Sequence, residues 1–265
     1  MINTALKKIR FYFQYVHQSI FRYSYKPENY PNTFLSATKK GTASSLLVFP
    51  RVIYIFWTGN NEMSKNRRAG VESLVAKCGV EVKLITPQNL NAYILQDYPL
   101  HPAFEYLSLV HKSDYLRCYF MHHYGGGYSD IKVCTNSWIP AFDKLQNSNK
   151  WILGYREIKK RALAQVEGLI GKDLKRHFLF VIGNGAYICR PYSPFTTDWY
   201  RELHKKMDNY AATLEQNPGN VMGDNVGYPI PWTNILGDIF HPLCLKYMDN
   251  LYISDIVKPI FKNHR

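Results

Sequence analysis

Between Leu46 and Ile85 the chain reads as strand, helix, strand, and that order constrains the fold more than any other stretch. Leu46–Trp57 is rich in β-branched, aliphatic and aromatic residues, with Pro50 and Arg51 marking the start of a central strand. A helical pattern runs from about Ser64 to Cys78, and a second strand follows near Glu81–Ile85. Pro87 opens a further helical stretch. Such alternation implies an α/β fold with a central, mainly parallel sheet flanked by helices. Ligands of these sheets bind beyond the carboxyl ends of the strands, and Trp57-Thr58-Gly59-Asn60 lies at such an end.

The stretch Ser113–Val133 carries the densest chemistry. Ser113 is a candidate N-cap, with Asp114 in the first turn of a helix, where a carboxylate suits the dipole. Asp114 and Arg117 are three apart and share a helix face. The helix runs through Phe120, Met121 and Tyr124 and is expected to stop at Gly125. Gly126 and Gly127 permit positive φ and close backbone approach. Tyr128–Val133 reads as a strand, which sets Asp130 and Lys132 on one side, roughly 6–7 Å apart. Charges of both signs thus converge on one region, an arrangement that suits a substrate part hydroxyl-rich sugar and part anionic phosphate.

The order Ser-Asp-x-x-Arg at 113–117, then Tyr-Gly-Gly-x-Tyr-x-Asp at 124–130, resembles the core motif of the DXD-motif sugar-transferase superfamily. Och1-like mannosyltransferases, capsular-polysaccharide-synthesis transferases and the glucosylating clostridial toxins are among its members. Arg51–Gly59 is similar to their first strand and nucleotide-contacting turn, and the resemblance covers roughly residues 50–135 well. It implies a GT-A-like domain that binds a UDP- or GDP-sugar and transfers the sugar, with retention, to a glycan or lipid-linked acceptor. Bacterial capsule or lipopolysaccharide synthesis is the implied setting.

The resemblance also implies roles. Trp57 would stack on the base, although a core tryptophan reads the same way. Thr58 and Gly59 would contact base or ribose, and Asp130 the ribose or diphosphate. Asp114 and Arg117 would hold sugar hydroxyls and phosphate, with Gly126, Gly127 and Tyr128 on the donor side. Asn184 and Gly185, in the glycine-interrupted strand Phe180–Cys189, are acceptor-side candidates. The segment Gly223–Pro242 is similar to the C-terminal active-site segment of the capsular group, which brings in Asp224, Trp232 and His241. For His241 a histidine at a helix end before Pro242 is the plainer reading.

One departure stands out: the motif is Asp130-Ile131-Lys132 where the family often has Asp-x-Asp holding a divalent metal. Lysine is a cation with three donors and ligates no hard metal ion. Charge complementarity favours Lys132 neutralising the diphosphate directly, without metal. The alternatives are Mn2+ or Mg2+ held by Asp130 with Asp224 or Asp238, and a degenerate, sugar-binding or assembly protein without activity.

The net charge of +13 in 265 residues calls for an anionic partner, be it a nucleotide, an acidic membrane surface or a polymer. Nucleic acid is disfavoured because no helix-turn-helix, RNP or zinc signature accompanies the charge. The five cysteines are odd in number and form no Cys-x-x-Cys pair, which argues against a zinc site or disulfide framework and for a reducing cytoplasm. No run of 18 apolar residues predicts a membrane span, and the N-terminus makes a poor signal peptide.

Residues 1–45 are expected to form an amphipathic helix and linker, and residues 46–265 the transferase domain. In residues 4–23, Leu6, Ile9, Phe13, Val16 and Ile20 recur at helical spacing. That face suits either peripheral contact with the inner side of the cytoplasmic membrane or packing on protein. The basic run at 156–177 reads as a solvated helix face or as a patch facing an acceptor or membrane.

Overall fold

A computed structural model describes residues 12, 13, 16, 20, 23–36, 48–157 and 159–261. The expected amphipathic helix at 4–23 lies mostly outside the described residues, as do residues 37–47 of the linker.

A six-stranded sheet in the order β2-β1-β3-β5-β4-β6 forms the centre of the fold. Its strands are β1 (Val52–Phe56), β2 (Glu81–Ile85), β3 (Gly126–Ser129), β4 (Ile152–Arg156), β5 (Ile182–Cys189) and β6 (Leu251–Ile253). β1 pairs parallel with both β2 and β3, and β4 pairs parallel with β6. β5 runs antiparallel between β3 and β4, so it alone opposes the other strands. The mixed α/β, mainly parallel expectation therefore holds.

Why β1 is central follows from its residues. All five are buried, as a strand covered on both faces requires. Val52, Tyr54 and Phe56 enter one hydrophobic core, while Ile53 and Ile55 enter the other. The helices divide between these faces. α2 (Leu109–His123), α4 (Gly168–Arg176), α5 (Pro194–Gln216) and α6 (Gly237–Lys246) cover the first face. α1 (Lys65–Lys77) and α3 (Ile139–Gln146) cover the second. The five cysteines are free and buried. Cys118, Cys189 and Cys244 lie in the first core, and Cys78 and Cys134 in the second.

The described part of the N-terminal segment wraps over the first face. Tyr30 and Leu35 are buried there, and the Tyr30 hydroxyl donates to Asp173 Oδ2 at 2.7 Å. Among the described residues, no helix is long and apolar enough to cross a membrane.

Three local expectations need correction. The N-cap of α2 is Ser108, which accepts from His111 N, so Asp114 stands in the second turn and Ser113 within the helix. The stretch after Pro87 forms only a short 3-10 turn, Leu90–Tyr93. The strand expected over 128–133 ends at Ser129: Asp130 N still donates in register to Gly185 O at 2.8 Å, and the chain then bends at Ile131 and Lys132.

The triple glycine has a packing origin. Tyr124 caps α2, and Gly125, at φ +66, donates its N–H to Phe120 O. At Gly126, φ is +81 and a Cβ would lie 2.9 Å from Val52 O. Only glycine lets β3 start that close to β1.

Candidate functional site

β1 and β3 lie side by side in parallel, and the chain reaches β2 on one flank and β3 on the other. Their carboxyl ends therefore border a switch-point crevice of the kind that binds ligands. A cleft of about 600 Å³ opens there, lined by Trp57, Thr58, Gly59, Arg117, Asp130 and Lys132 among others.

Its floor is a buried charge network. Arg117, on α2, reaches Asp114 Oδ1 at 3.2 Å and Asp130 Oδ1 at 3.5 Å. It also donates to Asn184 O at 3.3 Å and lies over the Tyr128 ring, 4.5 Å from its centroid. The Tyr128 hydroxyl donates to Asp130 Oδ1 at 2.6 Å, and Lys132 Nζ donates to Asp130 Oδ2. Asp130 thus lies between two cations and a hydroxyl. Burial alone would raise its carboxyl, but Lys132, Arg117 and the Tyr128 hydrogen bond outweigh that and hold it below the usual carboxylate range. Burial raises the Asp114 carboxyl, against the pull of Arg117 and His111. Burial also disfavours the Arg117 charge, yet Tyr128, Asp114 and Asp130 outweigh it and keep the guanidinium firmly protonated.

This donor set does not fit a divalent metal. A hard cation needs several free oxygen ligands. Both Asp130 oxygens already accept hydrogen bonds, one of them from an ammonium that stands where a second carboxylate would be. Asp224 accepts from Asn220 in an exposed loop, Asp238 accepts from Thr233 and Asn234, and neither lines the cleft with Asp130. Among the described residues, no group of three His, Cys, Asp or Glu side chains is arranged for a metal.

The remaining candidates separate into two sets. Trp57 is half-buried on the cleft wall with its indole Nε1 donating to Asn61 O at 2.7 Å. Thr58 donates to Leu109 O at 2.6 Å, tying the turn to α2. Trp232 lines the cleft mouth at 54% exposure. Gly185 lies beside the network, since a Cβ there would be 3.3 Å from Asp130 Oδ2. The glycines of β5 make room for Tyr155, whose ring a Cβ on Gly183 would meet at 2.3 Å.

Gly126 and Gly127 serve the sheet: a Cβ on Gly127 would meet Trp138 at 3.1 Å and Ile53 at 3.2 Å. His241 is a correction. It is 1% exposed within α6, where Nδ1 accepts from Ala164 N at 3.0 Å, and Pro242 lies inside the helix rather than after it. Burial pushes its pKa down to about 4, which suits a neutral core residue.

Two groups escaped sequence reasoning. Arg67 lines the cleft from the first turn of α1. Its position, one turn into the helix that leaves the carboxyl end of β1, was the available signal. His111, one turn before Asp114, holds the segment that carries Trp232. Its Nε2 faces Trp232 O at 3.3 Å, so that nitrogen donates, and Nδ1 accepts from the Tyr228 hydroxyl at 2.7 Å. The same hydroxyl accepts from Ser108 N at 3.2 Å.

Residues 37–154 match a family described as the glycosyltransferase sugar-binding region containing DXD motif. No curated protein matches the chain. Among solved structures, the PaToxG glycosyltransferase is similar at 13% identity and a TM-score of 0.41, over 76% of this chain and 68% of that one. Residues 37–154 are therefore similar to the sugar-binding region of DXD-motif glycosyltransferases.

Proposed function

We propose that the chain transfers a sugar from a UDP- or GDP-sugar to a glycan or lipid-linked acceptor in bacterial surface polysaccharide synthesis, and that it does so without a divalent metal. The observation that carries the metal-free reading is the Lys132 ammonium on Asp130, in place of a second carboxylate. The base stacks on Trp57 at the carboxyl end of β1, and the diphosphate lies towards Asp130 and Lys132. Arg117 and Asp114 receive the sugar hydroxyls. As the bond to the sugar breaks, charge grows on the departing diphosphate. Cations already in position stabilise that charge without reorganising.

Transfer is taken to be retaining, as in the superfamily that the motif resembles. A front-face course, in which the departing phosphate helps deprotonate the acceptor, needs no protein nucleophile. Trp232 and the mouth of the cleft receive the acceptor. The net charge of +13 and the apolar spacing at 4–23 support work at the inner, anionic face of the cytoplasmic membrane.

The test is a nucleotide-sugar panel, read by binding and by transfer, with EDTA and with manganese. One UDP- or GDP-sugar should bind and turn over equally well in both conditions. Strict manganese dependence would overturn the metal-free reading. Donor binding without turnover or hydrolysis would mark a sugar-binding protein instead.

A further inference from the structure

The cations of the cleft are unequally committed. Arg117 is held by Asp114 and Asp130, and Lys132 by Asp130. Two carboxylates thus offset two cations, and the network offers a phosphate little net positive charge. A phosphate seeking one of these cations competes with Asp130 for it.

Arg67 is differently placed. It is half-buried in the cleft wall, on the first turn of α1. Its Nη1 donates to Ile131 O at 2.7 Å, the carbonyl between Asp130 and Lys132. No carboxylate of the described residues forms an ion pair with it. One of five N–H donors is thus spent on orientation, and no ion pair commits the charge.

The helix beneath it is firmly seated. Ser64 Oγ accepts from Arg67 N at 3.3 Å. Further along, Gly70 sits so close to the Ile131–Lys132 peptide that a Cβ would lie 3.2 Å from both Ile131 C and Lys132 N. α1 therefore delivers the guanidinium against Asp130-Ile131-Lys132 from a rigid element. Planar and forked, it suits two phosphate oxygens at once.

We propose that Arg67 is the principal diphosphate-binding residue of this cleft, supplying the positive charge that Arg117 and Lys132 have already committed to carboxylates. This inference rests on the nucleoside-diphosphate-sugar reading above.

Calorimetric titration of the full chain with uridine, UDP, guanosine and GDP, without metal, tests it. In the wild type one diphosphate binds more tightly than its nucleoside. Arg67→Gln weakens that diphosphate roughly 10- to 100-fold, the range of a lost charge-assisted pair. Nucleoside affinity stays within about twofold, as the loss of a single contact requires. Arg67→Lys restores part of the difference. Equal losses for nucleoside and diphosphate, or no loss, overturn the assignment while leaving the function intact. A wild type that binds neither diphosphate overturns both.

A measurement on the unaltered protein guards against misfolded variants. The bound diphosphate should shield Arg67 from phenylglyoxal, read by peptide mass spectrometry. Unchanged modification of Arg67 under saturating diphosphate rejects the proposal.

Discussion

Asp130→Asn is the substitution on which the metal-holding and metal-free readings of the cleft diverge in sign. The amide keeps the shape of the side chain and an oxygen for the Tyr128 hydroxyl, but deletes the charge between Arg117 and Lys132. If Asp130 held a metal on the donor, its loss would weaken diphosphate binding. In the observed geometry Asp130 instead occupies cations that a phosphate would use. Its removal leaves Lys132 without a carboxylate and Arg117 with Asp114 alone, and should tighten diphosphate binding.

The size follows from Coulomb's law. Two unit charges about 4 Å apart interact by about 1 kcal/mol in water and about 4 kcal/mol at an effective dielectric of 20. The Asp130 side chain is 18% exposed and borders an open cleft, so the lower part of that range applies. An affinity gain of about 1–3 kcal/mol, roughly 5- to 150-fold, is expected.

The same change costs stability. Stranding the partner of a buried pair costs about 3–5 kcal/mol, and partial exposure places this site near the lower bound. Guanidinium denaturation reads the stability loss, and calorimetry with UDP and GDP in EDTA reads the affinity. Transfer should fall, because a diphosphate held more tightly leaves more slowly. A folded Asp130→Asn chain whose diphosphate affinity is unchanged or weaker would refute the charge accounting.

Other consequences can be checked independently. Lys132→Asp restores two carboxylates to the motif, so manganese binding should appear by electron paramagnetic resonance and EDTA-resistant transfer should vanish. Persistence of EDTA-resistant transfer would show that Lys132 is not the metal's substitute. Tyr228→Phe removes the hydroxyl that joins Ser108 and His111. Stability should drop by about 1–2 kcal/mol, and KM for the acceptor should rise severalfold while donor affinity holds; a donor-only effect would contradict the clamp.

Burial pushes His122 down to about 3, and His123 and His241 down to about 4. Between pH 6.5 and 4 the unfolded chain takes up protons that the folded chain refuses, so stability is full above pH 6.5 and falls on acidification. His241 alone accounts for on the order of 3 kcal/mol. A melting temperature that stays flat from pH 6.5 to 4.5 would contradict this.

What the sequence made legible follows the physics of each signal. β1 was readable because a strand covered on both faces of a parallel sheet is an apolar run bounded by polar turns. Gly125 was readable as a helix stop because few residues other than glycine take a left-handed cap. Asp114 and Arg117 were readable as a pair because helical spacing is local.

The failures lie where long-range contacts decide. Strand alternation carried β3 to Val133, but the chain bends at Ile131 and Lys132, where Arg67, more than sixty residues earlier, donates to Ile131 O. Ser108 and Ser113 both offer a capping hydroxyl, and only the contacts of Ser108 distinguish the real cap. His241 sits in a segment rich in turn formers, yet the helix passes through Pro242 and buries it. Arg67 went unnoticed, because nothing local shows that its guanidinium meets Ile131 O.

The burial of all five thiols gives the protein an internal clock for its own opening. Burial raises Cys118 and Cys189 well above the ordinary thiol value and Cys244 to about 12, so the native chain offers alkylating reagents little thiolate. Modification then has to wait for local or global unfolding. Cys78 and Cys134 report on one side of the sheet, and Cys118, Cys189 and Cys244 on the other. The order in which the five are tagged would reveal which face loosens first, and whether a bound nucleotide slows one face or both.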